Sequence, residues 1–180
     1  ESRVVKQREP FWHNIKSLDG GLKLYLFVAF LFTLGNSSNV FLLLRAKSIG
    51  FDDTTVILLY FIYSVTASAL AVPMGKRSDK VGRKRLLVAG YFVFALVYMG
   101  FAFVDRKEVM VGMFILYGLY TAMIAGVERA FISEIAPPQL KGTMLGLHST
   151  VVGIALLPAS TIAGILWTAF GAPAPFVFGA

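Results

Sequence analysis

Five runs of about twenty predominantly apolar residues dominate this sequence and limit what it can fold into. They occupy residues 22–44, 54–74, 86–104, 109–127 and 143–167. A helix needs roughly 20 such residues to cross about 30 Å of hydrocarbon, and a helix that is apolar on every face is typical of a membrane span. A sixth run, residues 173–180, has only begun when the sequence ends. The pattern predicts an all-α membrane protein with five full transmembrane helices and the start of a sixth.

The composition agrees with a membrane protein and argues against other classes. Hydrophobic residues make up 57% of the chain, and the mean hydropathy is +0.72, above the range of ordinary soluble domains. The net charge of +7 would by itself suggest nucleic acid. The cations lie between the apolar runs, however, so we expect a lipid bilayer as partner and no nucleic acid. With no cysteine, two scattered histidines and no catalytic or phosphate-binding motif, we expect no metal, no cofactor and no enzymatic activity.

The lysines and arginines between the runs predict the orientation of the chain. Thirteen of the 17 fall in segments 1–23, 76–85 and 129–141, which would lie on one side of the membrane. Cytoplasmic loops carry the excess of such residues. We therefore expect a multi-pass protein of the cell (inner) membrane, in which residues 1–21 form a cytoplasmic linker.

A weak internal repeat suggests how the bundle is organised. An offset of 89 residues pairs Gly75 with Gly164 and Gly82 with Gly171, at equivalent ends of the apolar runs. Because the offset covers three spans, the two copies would enter the membrane in opposite directions. Inverted three-helix repeats of this kind build the halves of many transporters. The poor match of the first run to the fourth counts against the repeat.

The segment GKRSDKVGRKR, residues 75–85, joins the second and third runs and carries the clearest motif. A glycine at its start lets another helix pack closely, and its single carboxylate suits a helix N-terminus or an arginine. The second glycine permits a tight turn, and the cations after it suit anionic headgroups. The candidate site residues of this segment are Gly75, Asp79, Gly82, Arg83 and Lys84.

This segment resembles the signature loop of the major facilitator superfamily, Gly-x-x-x-Asp-(Arg/Lys)-x-Gly-Arg-(Arg/Lys), which joins the second and third helices of each six-helix half. Arg77 stands where the family has an apolar residue, which bears on local packing only. Two further segments carry the resemblance. Residues 129–143, RAFISEIAPPQLKGT, are similar to the fourth-to-fifth connection of the C-terminal half, and residues 156–164, LLPASTIAG, resemble the fifth helix of bacterial members.

The resemblance implies that residues 22–180 are the C-terminal half of a twelve-helix transporter, truncated in its last helix. The N-terminal half of the same polypeptide would be its partner. Such a protein would move a small-molecule substrate, with or without a coupled ion, by alternating access, with the signature loop acting in gating. A transporter-like sensor or scaffold without transport activity is the alternative that the sequence leaves open.

The polar stretch at residues 36–39, inside the first run, is the candidate solute pathway. Asn36 and Asn39 are three residues apart and share one helix face. Unmet amides in hydrocarbon cost several kcal/mol, so these side chains either line a wet pathway or bond across to neighbouring helices.

Two other groups of polar residues lie near the predicted cytoplasmic boundary. Glu128 and Arg129 sit at the end of the fourth run, where snorkelling or an ion pair in the gate region is expected in preference to substrate binding. His148, near the start of the fifth run, could carry a proton, although a hydrogen-bonded structural histidine is the more common case.

Overall fold

The computed structural model describes residues 20–180. Nearly all of the predicted cytoplasmic linker, residues 1–21, lies outside the described residues. Within them every regular element is a helix. The helices are α1 Gly20–Gly35, α2 Val40–Ser48, α3 Asp53–Val81, α4 Arg83–Phe103, α5 Lys107–Ile135, α6 Lys141–Phe170 and α7 Ala174–Gly179, and a short 3₁₀ turn, Pro138–Leu140, precedes α6.

Five segments of the described chain are long and apolar enough to cross a membrane: Gly20–Ser48, Asp53–Val81, Arg83–Phe103, Lys107–Ile135 and Pro138–Phe170. The predicted all-α membrane fold with five spans is therefore confirmed. Most spans extend beyond the apolar runs. The 29 residues of α3 reach about 43 Å at 1.5 Å per residue, more than the hydrocarbon thickness, so the ends of such a helix extend beyond the hydrocarbon or the helix tilts.

The first span is broken, which corrects the expectation of one continuous helix over residues 22–44. The helix α1 ends at Gly35 and α2 begins at Val40, and the four residues between them are not helical. Asn and Ser side chains compete with the backbone for hydrogen bonds and so favour turns. Here the Ser38 hydroxyl accepts a bond from the Val40 amide at 3.4 Å. The polar stretch thus interrupts the span.

The helices α4 and α5 form the centre of the bundle. They pack against each other, α3 lies along α5, and α1 packs against α6. The apolar windows of α4 and α5 are each 44% buried, whereas those of α3 and of the fifth span are only 11% and 17% buried. The second and fifth spans therefore present most of their surface away from the described part of the chain.

The core between the central helices is aromatic, and α7 packs against it. Its largest fully buried side chains include Phe94, Tyr98, Phe101, Phe114 and Phe176. The ring of Phe176, on α7, lies 5.5 Å from that of Tyr98 and 5.6 Å from that of Phe101, centroid to centroid. The predicted sixth run therefore begins as a helix that docks on α4.

The two glycines that the repeat pairs have the same conformation. Gly82 follows α3 with φ 97°, and Gly171 follows α6 with φ 92°. Residues with a side chain rarely adopt a backbone conformation with such a positive φ, so both turns need glycine. The helices before them have 29 and 30 residues and lie three spans apart, as the predicted inverted repeat requires.

Candidate functional site

The predicted signature loop is mostly helical in the structure. The helix α3 continues through Gly75 and Asp79 to Val81, and α4 begins at Arg83. The connection between the spans is therefore Gly82 alone, whose φ of 97° turns the chain sharply. This corrects the expectation of a loop over residues 76–85. The short turn fixes the side chains of the motif on two helix ends.

Arg83 joins this turn to the C-terminal end of α5. One guanidinium nitrogen, Nη1, donates to the Ala130 carbonyl at 2.8 Å and lies 3.2 Å from a Glu134 carboxylate oxygen. The other, Nη2, lies 3.2 Å from Asp79 Oδ1. The motif thus ties the ends of α3, α4 and α5 together through one side chain, 29% exposed. The sequence analysis did not single out Glu134. The available signal was an acidic residue near the end of a span, on the same predicted side as the basic motif.

The other residues of the motif lie on more open surface. The Asp79 side chain is 64% exposed and pairs with Arg83, four residues along the chain, so its partner is an arginine and not a helix N-terminus. A Cβ added at Gly75 would meet no heavy atom within 4 Å in the described part of the chain. The described residues leave the surface around Gly75 open. The close packing of another helix on Gly75 therefore stays a prediction. Lys84 lines a groove beside α1.

Both candidate pathway amides are hydrogen-bonded to tyrosines across the bundle. Asn36 Nδ2 donates to the Tyr120 hydroxyl at 3.3 Å, and the Tyr98 hydroxyl donates to Asn36 Oδ1 at 3.0 Å. The Tyr117 hydroxyl donates to Asn39 Oδ1 at 2.8 Å. The sequence left two alternatives open for these amides: a wet pathway or hydrogen bonds to neighbouring helices. The observed geometry is the second. The spacing gave a signal, because the tyrosines at 117 and 120 are three apart, like the two amides.

A row of aromatic rings leads from Asn39 to the open face of α3. The Tyr63 ring lies 5.1 Å from that of Tyr117 and 5.3 Å from that of Tyr60, centroid to centroid. Tyr60 is 42% exposed. The amide of Asn39 and these rings border one recess. The recess lies next to the break in the first span, and in this arrangement it is too narrow to hold a water molecule.

A second polar cluster brings α1, α5 and α6 together. The Tyr25 hydroxyl donates to Glu128 Oε1 at 3.0 Å, and His148 Nε2 lies 3.3 Å from the same oxygen. The histidine contact has ion-pair distance without the angle of a hydrogen bond. The Glu128 and His148 side chains are 19% and 10% exposed. The partners of Glu128 are thus Tyr25 and His148, while Arg129, predicted with it in the gate region, is exposed.

At the opposite end of the bundle, Arg45 ties α2 to the last turn of α4. Its Nε donates to the Phe101 carbonyl at 2.7 Å, and its Nη2 donates to the carbonyls of Ala102 and Val104 at 3.3 and 3.2 Å. The same nitrogen lies 2.9 Å from Asp105 Oδ1. The last carbonyls of a helix lack partners within it, and Arg45 supplies them. Nothing in the sequence distinguished this arginine from the other cations at that end.

The start of α3 is capped at the same end. Asp52 is the N-cap residue, and its carboxylate accepts from the Thr55 amide at 3.2 Å. A further bond from the Thr55 hydroxyl is the main reason that the pKa of this carboxyl lies below its usual range. Among the described residues, no group of His, Cys, Asp and Glu is arranged to hold a metal ion.

Three features together define a multi-pass membrane protein of transporter type. They are the five apolar spans, the glycine turn with the signature spacing, and the partly exposed Arg83, which links the helix ends. The sequence profile of the Major Facilitator Superfamily matches residues 25–180. The chain belongs to that superfamily, which confirms the resemblance inferred from the motif. The superfamily consists of non-enzymatic transport proteins, as expected from the lack of catalytic motifs.

Three relatives show the range of the similarity. An uncharacterized MFS-type transporter of Methanocaldococcus jannaschii is 39% identical over 160 residues, which cover 86% of this chain and 40% of that protein. The riboflavin transporter RibZ of Clostridioides difficile is 26% identical over 64% of this chain and 25% of its own length. The galactose-proton symporter of Escherichia coli K12 is 30% identical over 52% of this chain and 20% of its own length. The chain thus spans at most two fifths of each of them.

Proposed function

We propose that this chain is the C-terminal half of a transporter that moves a small solute across the cell membrane by alternating access. The proposal rests mainly on Arg83, whose hydrogen bond to Ala130 and ion pair with Glu134 link the glycine turn to α5. These contacts are called the Arg83 tie below. Its position at the end of three spans suits a contact that is made when the cytoplasmic side is closed and lost when it opens. The excess of lysine and arginine at this end supports the cytoplasmic orientation, with the N-terminal segment on the same side.

The strength of the tie suits a reversible contact. Exposed ion pairs contribute about 0–1 kcal/mol because water screens them, while a hydrogen bond from a charged donor to a carbonyl contributes about 1.5–3 kcal/mol. The Arg83 side chain is 29% exposed, and the carboxylates of Asp79 and Glu134 are 64% and 60% exposed. Its total contribution is therefore of the size by which a ligand shifts a two-state equilibrium.

The open faces of α3 and the fifth span support a partner half and a pathway. Long apolar helices with only 11% and 17% of their windows buried need cover from lipid or protein. The N-terminal half of the same polypeptide would cover the side that carries the recess beside Asn39. Discontinuous helices border the substrate sites of many transporters, and the break at residues 36–39 lies next to this recess.

The recess would have to widen to admit a solute, and the groups around it suggest the chemistry of that solute. Asn39, Tyr60 and Tyr63 offer an amide, hydroxyls and ring faces, and none of these side chains carries a charge at neutral pH. Such a site favours an uncharged solute with hydroxyl groups or a planar ring. Two of the relatives are named as transporters of solutes of this kind, riboflavin and galactose, so these two molecules are the first probes.

The test uses the full-length polypeptide reconstituted in liposomes, with radiolabelled galactose and riboflavin as probes. We expect uptake of at least one, and we expect Arg83→Ala to lower the rate about tenfold, since one hydrogen bond from a charged donor has about that value. The matched control is Arg106→Ala, an exposed arginine at the other end of α5. Normal uptake by Arg83→Ala would contradict the gate role. Binding of a probe without uptake would favour the sensor or scaffold.

A further inference from the structure

The two parts of the broken first span belong to different groups of helices. The helix α2 contributes Leu42 and Ala46, which are 1% and 0% exposed, to the main core formed with α3, α4 and α5. The helix α1 instead packs along α6 and much less on α4 or α5. We call α2, α3, α4 and α5 the core unit, and α1 with α6 the side unit. The break at residues 36–39 lies between them.

We propose that Gly35 is a hinge about which the side unit moves as one body against the core unit. This movement differs from the proposed gate. Arg83 joins helices that all belong to the core unit, so its contacts stay the same when α1 moves. The hinge is therefore independent of the proposed transport function.

The core unit holds both α2 and the break itself. Arg45, on α2, donates to the carbonyls at the end of α4. Asn39, directly before α2, accepts from a tyrosine of α5, and Asn36 is bonded to one tyrosine of α4 and one of α5. Since both amides of the break are bonded to the core unit, the point of bending lies directly before them, at Gly35.

Gly35 has two properties that suit a hinge. Glycine has the widest range of backbone conformations, and hinge residues take up the dihedral change between two rigid parts. Gly35 also touches the backbone of Gly179 on α7. A Cβ added to Gly35 would lie 3.3 Å from Gly179 Cα, and one added to Gly179 would overlap the Gly35 carbonyl oxygen. With no side chain between them, the two backbones can turn against each other, and α7 is held on α4 by Phe176.

The boundary between the two units is weakly packed. A groove of about 500 Å³ lies between α1 and the helices α4 and α5, whereas protein interiors have few voids larger than a water molecule. The ring of Phe32 packs on rings of the core unit, but it is close to the hinge, where displacement is smallest. Further from the hinge, four buried residues form a small separate cluster across the boundary: Leu22, Ile132, Ala136 and Met144.

A polar contact joins the two units far from the hinge. Glu128 belongs to the core unit, whereas Tyr25 and His148 both belong to the side unit and stack on each other, with centroids 6.0 Å apart. The Tyr25 hydroxyl donates to Glu128 Oε1 at 3.0 Å, and His148 Nε2 lies 3.3 Å from the same oxygen. Movement of the side unit as one body keeps the stacked rings together and breaks only their contacts with Glu128. These contacts therefore act as a latch between the units.

The length of α1 converts a small bend into a measurable distance. Gly20 and Gly35 are the two ends of this helix of 16 residues, about 22 Å apart at 1.5 Å per residue. A bend of about 10° at Gly35 therefore moves Gly20 by about 4 Å relative to the core unit. Gly20 is exposed, and a Cβ there would meet no heavy atom within 4 Å in the described part of the chain. The position can thus carry a label.

The experiment measures three distances between pairs of spin labels by double electron–electron resonance. It uses the full-length protein in lipid bilayers, with labels on introduced cysteines only, and needs no substrate. The labels lie at Gly20 and at three exposed positions, Val40 on α2, Leu96 on α4 and Leu157 on α6. Gly20 paired with Leu96 spans the boundary, Gly20 with Leu157 lies within the side unit, and Val40 with Leu96 lies within the core unit. We expect a distribution several ångströms broader across the boundary than within either unit.

The variant Tyr25→Phe tests the latch. It removes the hydroxyl that donates to Glu128 and keeps the ring that stacks on His148. Since a hydrogen bond to a carboxylate is worth about a factor of ten in an equilibrium constant, the ratio of displaced to packed arrangements should rise about tenfold. The change should appear only in the pair across the boundary. Tyr60→Phe is the matched control, the same change at an exposed tyrosine of the core unit, and should alter none of the three distances.

Either of two results in the wild type would overturn the hinge: equal widths for all three pairs, or a distribution between Gly20 and Leu157 as broad as the one across the boundary. An unchanged distribution in Tyr25→Phe would overturn the latch. If Tyr25→Phe does not fold, the wild type still decides the hinge. Normal uptake by Arg83→Ala together with a broad distribution across the boundary would remove the gate and leave the hinge. Reduced uptake by Arg83→Ala with equal widths would do the reverse.

Discussion

Two arginines tie helix ends together at opposite ends of this bundle, and they do so differently. Arg45, at the end where α4 finishes, has a side chain only 6% exposed and bonds three backbone carbonyls of that helix end and its flank, with Asp105 as a further partner. Arg83, at the signature turn, is 29% exposed and bonds one backbone carbonyl, with two exposed carboxylates around it.

The difference in burial and in hydrogen-bond partners indicates which helix contacts within this half stay formed. Carbonyl groups at a helix end keep their full hydrogen-bonding requirement, so a buried arginine that meets three of them cannot leave without a cost at each. Exposed carboxylates are already solvated and lose little when an arginine departs. Arg45 therefore fixes the α2–α4 contact, while Arg83 can release α5 from the glycine turn.

Removal of the two arginines tests this comparison most directly. Arg45→Ala should lower the free energy of unfolding by roughly 3–5 kcal/mol, and Arg83→Ala by about 1.5–2 kcal/mol, because Arg45 makes three hydrogen bonds to carbonyls from a buried side chain and Arg83 makes one beside screened ion pairs. The measurement is SDS titration of the full-length protein in mixed micelles. Lys47→Ala is the control, since Lys47 makes an exposed ion pair with Asp53. Equal losses for the two arginines would remove the distinction between the two ends.

The turn at Gly82 provides the next largest expected effect. Gly82→Ala forces a side chain into a backbone region with φ 97°, and strain of this kind costs about 1–3 kcal/mol. Gly75→Ala is the matched control, because Gly75 lies inside α3 with open space around it in the described part of the chain. There, alanine should be neutral or stabilise the helix by about 0.5–1 kcal/mol.

The two glycine variants are compared by thermal unfolding of the full-length protein. A lower midpoint for Gly82→Ala alone would agree with the structure. A loss of equal size in Gly75→Ala would instead show that another part of the polypeptide packs closely on Gly75. The face of α3 around Gly75 would then be part of the contact with that other part.

The smallest expected change in stability belongs to Asp79. Its carboxylate is 64% exposed and pairs only with Arg83 among the described residues, so Asp79→Asn should change the free energy of unfolding by about 0.2–1 kcal/mol. We nevertheless expect it to reduce transport clearly, since the change acts on one state of the gate. Uptake of galactose or riboflavin at matched expression is the measurement. Uptake at the wild-type rate would leave the charge of Asp79 as a topology signal only.

Much of the architecture could be predicted from local sequence, because bilayer thickness sets the length of each apolar run. The five spans and the family follow from that constraint and from the spacing of the signature residues. Gly82 was expected to permit a tight turn, and its φ shows why no other residue suits the position. The break at residues 36–39 was missed because the flanking residues are apolar enough for one continuous span, although the four polar residues were the available signal.

The partners of the polar side chains could not be predicted in the same way. The amide of Asn36 needed some donor or acceptor in hydrocarbon, but only the packing of α1 on α4 and α5 selects Tyr98 and Tyr120. Glu128 and Arg129 were expected to snorkel or to form an ion pair in the gate region, and the sequence named no partner for either. The structure instead turns Glu128 toward His148, twenty residues along the chain.

The sequence by itself determined that this chain spans a membrane, how many times, and to which superfamily it belongs. These properties depend on hydrophobicity summed over twenty residues and on a local motif, and neither needs tertiary contacts. The tertiary structure decided which polar groups meet: Arg45 with the carbonyls of α4, Arg83 with α5, and Glu128 with His148. The reason is that neighbouring residues on a helix point about 100° apart, so the partner of each side chain depends on how the helix is rotated against its neighbours.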